Sequence, residues 1–228
     1  MLKEQYHCPV MVIQGSAGNI APKYFQSEET PVDAMGTLYV RSQNGLEDMA
    51  REVLRKTATV IETIDVKQDM PVRMYSKNLL LYAKVPEYEE ARLIAKEAQE
   101  NCGIDGKNWL EEIKRLNAYG IRQQEECAQV QYFQIGALCI CGVPYELMEG
   151  FSISAQEKLQ DEFFYLNGYT NACLTYFPTE EEFERGGYEV YWSMLIYYIY
   201  FNRVFPFEKE SATELIEFVV ENAPKKVH

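Results

Sequence analysis

Val130-Gln-Tyr-Phe-Gln-Ile-Gly-Ala-Leu-Cys-Ile-Cys-Gly-Val143 is the stretch on which the fold turns. It reads as two short strands with a turn near Gly136. Cys139 and Cys141, two positions apart in the second strand, share a face. Their apolar setting suits buried structural thiols better than a metal knuckle or a disulfide framework. The remaining cysteines are Cys8, Cys102, Cys127 and Cys173, none forms a C-x-x-C pair, and all six read as reduced.

Upstream of this stretch, Trp109 to about Glu125 has a helical pattern. Tyr88–Glu100 reads as a helix that follows Pro86 and ends near Asn101-Cys-Gly103. Pro71–Tyr75 and Asn78–Val85 read as two strands, and Leu46–Ile64 carries apolar residues at helical spacing. Pro9-Val-Met-Val-Ile-Gln14 reads as a buried strand running into the loop Gly15-Ser-Ala-Gly-Asn-Ile-Ala-Pro22. Downstream, a short helix is expected over Ser154–Leu159, capped by Ser152 or Ser154. A strand and turn follow over Glu162–Gly168, then a Thr179-capped helical turn that stops at Gly186-Gly187. The last expected element is a helix over 213–222, capped by Ser211. Strands and helices interleave with no repeat and no linker, which predicts one domain over 1–228. The expected class is α/β (or α+β), a mixed sheet flanked by helices and part of a larger catalytic domain.

The chain has 228 residues, 47 % hydrophobic and 25 % charged, enough to bury a sizeable core. Its 35 acidic and 22 basic side chains give a formal charge of −13, which repels phosphate backbones and excludes nucleic acid as a partner. The first residues lack a signal-peptide pattern. The most apolar run, Val190–Phe201, is too short to span a bilayer and reads as a core element. These features lead to the expectation of a cytoplasmic protein.

Three segments place polar groups where sites are built. In Gln14–Pro22, a glycine-rich turn after a strand offers backbone N–H groups to an anion or oxyanion. It is neither a phosphate loop nor a nucleophile elbow, lacking Gly-Lys-Ser/Thr and the first glycine of G-x-S-x-G. In Gly142-Val-Pro-Tyr-Glu-Leu-Met148 the carboxylate of Glu146 directly follows an apolar strand and needs a cation or donors. The block Gly168–Glu189 sets Tyr169, Tyr176 and Tyr188 among turn residues. A phenol there serves either as a metal ligand or oxyanion donor, or as a packed ring with a backbone hydrogen bond.

Taken together and in this order, the three segments resemble the neutral ceramidase family, zinc-dependent hydrolases of N-acyl-sphingosine amide bonds. Gly142-Val-Pro-Tyr-Glu146 is similar to that family's strand ending in a zinc-binding glutamate. Gly168–Glu189 is similar to its most recognisable block, with one tyrosine on zinc and a later one on the reacting amide. The resemblance implies Glu146 and Tyr176 as metal ligands and Tyr188 as the catalytic tyrosine. It implies a substrate or oxyanion loop at Gly18, Asn19 and Ala21, and zinc as cofactor. The family's two histidine ligands have no counterpart, since the only histidines are His7 and His228. Ala21 stands where characterised members carry serine in a Gly-x-x-Ser-Pro pattern.

The expectation is therefore a ceramidase-like zinc-dependent hydrolase of N-acyl, lipid-type substrates, this chain supplying part of the site. The alternative is a non-catalytic, truncated or degenerate binding or assembly module. Either way, an N-terminal region or partner chain carrying the histidines is implied, and self-association of the lone chain is expected.

Overall fold

The computed structural model describes residues 1–20, 43–64 and 70–225. They fall into two compact units. The first, made of residues 1–13 and 20–69, contains helices α1 (Leu2–Tyr6) and α2 (Gln43–Ile61). Helix α2 bears out the helical spacing read from Leu46 onward. Its Leu46, Val53 and Val60 are at least half exposed.

The second unit, residues 14–19 and 70–228, carries the sheet. Strand β1 (Val72–Lys84) is followed by helices α3 (Tyr88–Cys102) and α4 (Lys107–Ala118), then by strands β2 (Gln123–Ile135) and β3 (Leu138–Gly142). Next come β4 (Glu146–Leu147), α5 (Glu149–Leu159), β5 (Phe164–Asn167), β6 (Tyr176–Phe177) and α6 (Glu180–Arg185). A π-helical turn (Tyr188–Trp192), the short helix α7 (Met194–Tyr197) and a 3-10 turn (Tyr198–Tyr200) precede the last helix, α8 (Ser211–Glu221). The main sheet runs β1-β2-β3-β5, antiparallel between β1, β2 and β3 and parallel between β3 and β5. A separate parallel pair joins β4 to β6. The class is the expected mixed sheet flanked by helices.

The alternation of side chains along each strand explains the burial. Leu81, Ala128, Val130, Tyr132, Cys139, Cys141, Phe164 and Leu166 face inward and pack with Phe151 and Ala155 of α5 and Leu215, Ile216 and Val219 of α8. Each valine, leucine, isoleucine or phenylalanine among them contributes about 1.5–3 kcal/mol on burial. A second core joins the alanine stripe of α3 (Ala91, Ala95, Ala98) to Trp109 and Ile113 of α4 and to Leu195, Val204 and Phe205. Small residues at three- and four-residue spacing let the two helices approach closely.

Several expectations are corrected. Pro9–Gln14 is not a strand: Val10, Met11, Val12 and Ile13 are 43–83 % exposed, in irregular chain. An apolar run becomes a strand only when a neighbouring edge accepts its hydrogen bonds. Pro71–Tyr75 and Asn78–Val85 are one continuous strand, because β2 pairs with it in unbroken register from Val72↔Ile135 to Lys84↔Gln123. For the same reason the helix expected to reach Glu125 stops at Ala118, and 123–125 belong to β2. Helix α5 begins at Glu149 rather than Ser154, with Met148 before it. The run Val190–Phe201 buries Val190, Met194 and Leu195 but leaves Ile199 and Tyr200 64 % and 72 % exposed, so it is core on one side only. The Thr179 cap is found as read, with its Oγ1 accepting from the Glu182 N–H. All six cysteines are free thiols, with Cys139 and Cys141 buried on one face.

Candidate functional site

Strand β3 delivers the chain through Val143, Pro144 and Tyr145 into β4. The segment Gly168–Glu189 returns alongside as β6, placing Glu146 opposite Tyr176 and Leu147 opposite Phe177. The Glu146 N–H donates to the Thr175 carbonyl at 2.8 Å and the Leu174 N–H to the Pro144 carbonyl at 2.8 Å. The turn after β5 completes the wall. The Tyr169 N–H donates to the Tyr145 carbonyl at 2.9 Å and the Thr170 N–H to that of Val143 at 2.9 Å. Tyr169 and Asn171 take left-handed backbone conformations, φ 58° and 63°, uncommon for an aromatic residue.

Two half-buried phenols and an exposed thiol converge on Glu146. Cys173 Sγ lies 3.9 Å from Glu146 Oε2 as a weak donor. Burial, and then hydrogen bonding to the Glu146 carboxylate, pushes the Tyr169 phenol well above its ordinary pKa. Burial, and then the negative charge of Glu146, does the same to Tyr176. The Cys173 thiol is raised by burial and by Glu146. Tyr188, first residue of the π-helical turn, sets its ring edge-on to Tyr176 at 6.1 Å. Burial and a hydrogen bond with Tyr197 push its phenol up to about 12, so it is a neutral donor at physiological pH. The structure thus brings Glu146, Tyr176 and Tyr188 together, although 30 and then 12 positions of sequence separate them.

The loop Gln14–Asn19 is seated on the same strands. Gly18 donates its N–H to the Leu147 carbonyl at 2.6 Å, and the Asn19 side-chain oxygen accepts from the Glu149 N–H at 2.9 Å. Ser16 Oγ donates to the Leu166 carbonyl at 2.7 Å, and Asn167 Nδ2 donates to the Gln14 carbonyl at 2.8 Å. Any Cβ on Gly18 would come within 2.7 Å of the Glu146 carbonyl oxygen, so only glycine permits this approach. Ala21, the third loop position, lies outside the described residues.

Glu146, Tyr169, Tyr176 and Cys173 thus bring a carboxylate, two phenols and a thiol into one cluster. Its acidic and thiol members number two, and among the described residues no group of three or more His, Cys, Asp or Glu gathers into a metal site. His7 belongs to the first unit and His228 lies outside the described residues. A cleft of about 370 Å³ beside α5 and α6 is lined by Asn19, Glu149, Phe151, Thr179 and Thr213, without Glu146, Tyr176 or Tyr188.

Sequence reading missed Tyr197 and Cys173 as neighbours of the site, and the buried pair Glu126–Arg203 behind it. The one signal for the pair was a cation inside the apolar run Phe201–Phe207, which demands a counter-charge. No described helix is long and apolar enough to cross a membrane. Comparison with family models, with curated proteins and with solved structures finds no match to this chain.

Proposed function

We propose that this chain supplies part of the site of a ceramidase-like, zinc-dependent hydrolase that cleaves the amide bond of N-acyl, lipid-type substrates. The observation that carries the reading is the pairing of Glu146 with Tyr176 across β4 and β6, with Tyr188 packed on Tyr176. Glu146 and Tyr176 would hold the metal as anionic and phenolic oxygen ligands. Zinc, when bound, brings the pKa of its water to about 7 and polarises a carbonyl. Tyr188, kept protonated, donates a hydrogen bond to the oxygen on which negative charge develops during attack on the amide. The Gln14–Asn19 loop, anchored on Leu147 and Glu149, shapes the rim. Zinc takes four ligands, so the remainder comes from a histidine-bearing segment or partner.

A second reading, a non-catalytic binding or assembly module, draws support from the same shortage of metal-binding side chains. Elemental analysis and zinc titration separate the two. The full chain is titrated with zinc, with and without free imidazole as a surrogate for the absent histidines. The enzyme reading expects one zinc per chain, held more tightly with imidazole, and lost in Glu146→Gln and Tyr176→Phe. Zinc retained by Glu146→Gln, or none taken up with imidazole present, sinks the enzyme reading and leaves the module.

A further inference from the structure

Arg203 is 1 % exposed, and a guanidinium so placed is tolerated only when its donors and charge are met. Nη1 donates to the Phe205 carbonyl at 2.6 Å and Nη2 to Thr175 Oγ1 at 2.5 Å. Nε stands 3.5 Å from Glu126 Oε2, an ion pair between side chains that are 1 % and 9 % exposed. The guanidinium also lies over the Phe207 ring, 3.8 Å from its centroid. The other Glu126 oxygen accepts from the Tyr145 hydroxyl at 2.6 Å.

The network ends on two residues, Tyr145 and Thr175, which immediately precede Glu146 and Tyr176. From Thr175 it continues into the pair itself. Thr175 Oγ1 donates to the Tyr176 carbonyl at 2.7 Å, and the Thr175 carbonyl accepts the Glu146 N–H at 2.8 Å. The loop bearing Arg203 is itself held. Val204 donates its N–H to Gln124 Oε1 at 2.9 Å, and its carbonyl accepts from Trp109 Nε1 at 2.7 Å.

A buried ion pair is a weak stabiliser, and apolar residues of similar volume often replace it without loss. What it supplies is direction, because Nη1 and Nη2 are held by the Phe205 carbonyl and Thr175 Oγ1, while Nε makes no hydrogen bond and faces Glu126 by charge alone. The pair β4–β6 needs such direction. It is two residues long on each strand, too short to secure its own register, and a slip of one residue turns a strand's side chains to the opposite face.

We propose that Arg203, with Glu126 as its buried counter-ion, is a positioning residue that fixes the pairing of Glu146 with Tyr176. The role in metal binding rests on the functional reading above, whereas the effect on strand pairing does not.

The test is the full-length chain with Glu126→Leu and Arg203→Met together, so that neither charge is orphaned. Native-state hydrogen exchange reads the Glu146 and Met148 amides, which cross from β4 to the Thr175 and Phe177 carbonyls. The expected result is exchange faster by about tenfold or more at these two amides, with the β3 amides and the β2 amides from Val130 onward unchanged. A purely structural role would speed all of them together. Unchanged exchange at Glu146 in the folded double variant overturns the proposal. Should the double variant fail to fold, Arg203→Lys keeps the charge but not the fork. It is expected to give the same local acceleration, and wild-type exchange in it overturns the proposal equally. Where the wild type takes up zinc, the double variant should bind it about 10–100-fold more weakly. A wild type that never takes up zinc ends the metal reading, while the exchange data still decide the role of Arg203.

Discussion

Cys139 shows how one residue's burial becomes a pH dependence. Its thiol is 2 % exposed, and desolvation of the thiolate pushes its pKa from 9.0 up to about 12. In the unfolded chain the thiol releases its proton near its ordinary value. Between pH about 9 and about 12 the unfolded state therefore binds fewer protons than the folded one, and stability falls as pH rises. Buried Tyr132 and Tyr145, raised mainly by desolvation, act in the same direction at higher pH. Urea unfolding followed across this window should show the decline, and Cys139→Ala should flatten its early part. An unchanged slope in that variant would contradict the assignment. With a thiol reagent at neutral pH, Cys8, Cys102, Cys127 and Cys173 should react in the folded chain and Cys139 and Cys141 only after denaturation. The two-residue spacing in the sequence already put both thiols on one strand face. Their burial came from α5 and α8, which that spacing does not contain.

At the scale of elements, the long helices were legible, the two longest strands only in part, and the short strands that build the site not at all. Helices α3 and α8 show in the 3.6-residue spacing of their apolar faces, whereas β4 and β6 are two residues each and have no periodicity to read. They exist because β3 and β5 bring their chains together at one end of the sheet. Gly18 tests how tightly the loop is joined to them. A methyl at that position would meet the Glu146 carbonyl oxygen at 2.7 Å and the Leu147 carbonyl oxygen at 3.0 Å, both backbone atoms with little freedom to yield. Gly18→Ala should therefore cost about 1–3 kcal/mol, as overpacking does. Denaturant unfolding measures that cost. Zinc titration of the same variant should show weaker binding, because the displaced carbonyl belongs to Glu146 itself. A variant with wild-type stability would show that the loop does not sit on β4.

For the whole molecule, the two faces of the main sheet differ. One packs on α5 and α8, while the other carries a row across all four strands, Met74–Phe133–Ile140–Tyr165. Met74 and Tyr165 at the ends of that row are 75 % and 46 % exposed. Apolar surface of this kind favours association. Sedimentation velocity of the lone chain should give a mass that rises with concentration, and Met74→Glu with Tyr165→Glu should return it to a monomer. A wild type that stays monomeric at every concentration would refute this. The sequence by itself determined the mixed α/β class, the long helices, the Thr179 cap and the inward face of Cys139 and Cys141, because each follows from local spacing and backbone chemistry. It also singled out Glu146, Tyr176 and Tyr188 as polar groups at a strand end and among turn residues, where sites are built. Only the tertiary structure decided that these three stand together, that Pro9–Gln14 forms no strand, and that Glu126 and Arg203 meet behind the site. Those outcomes depend on which strand edges and charges find partners far away in sequence, a matter of three-dimensional pairing that no local pattern encodes.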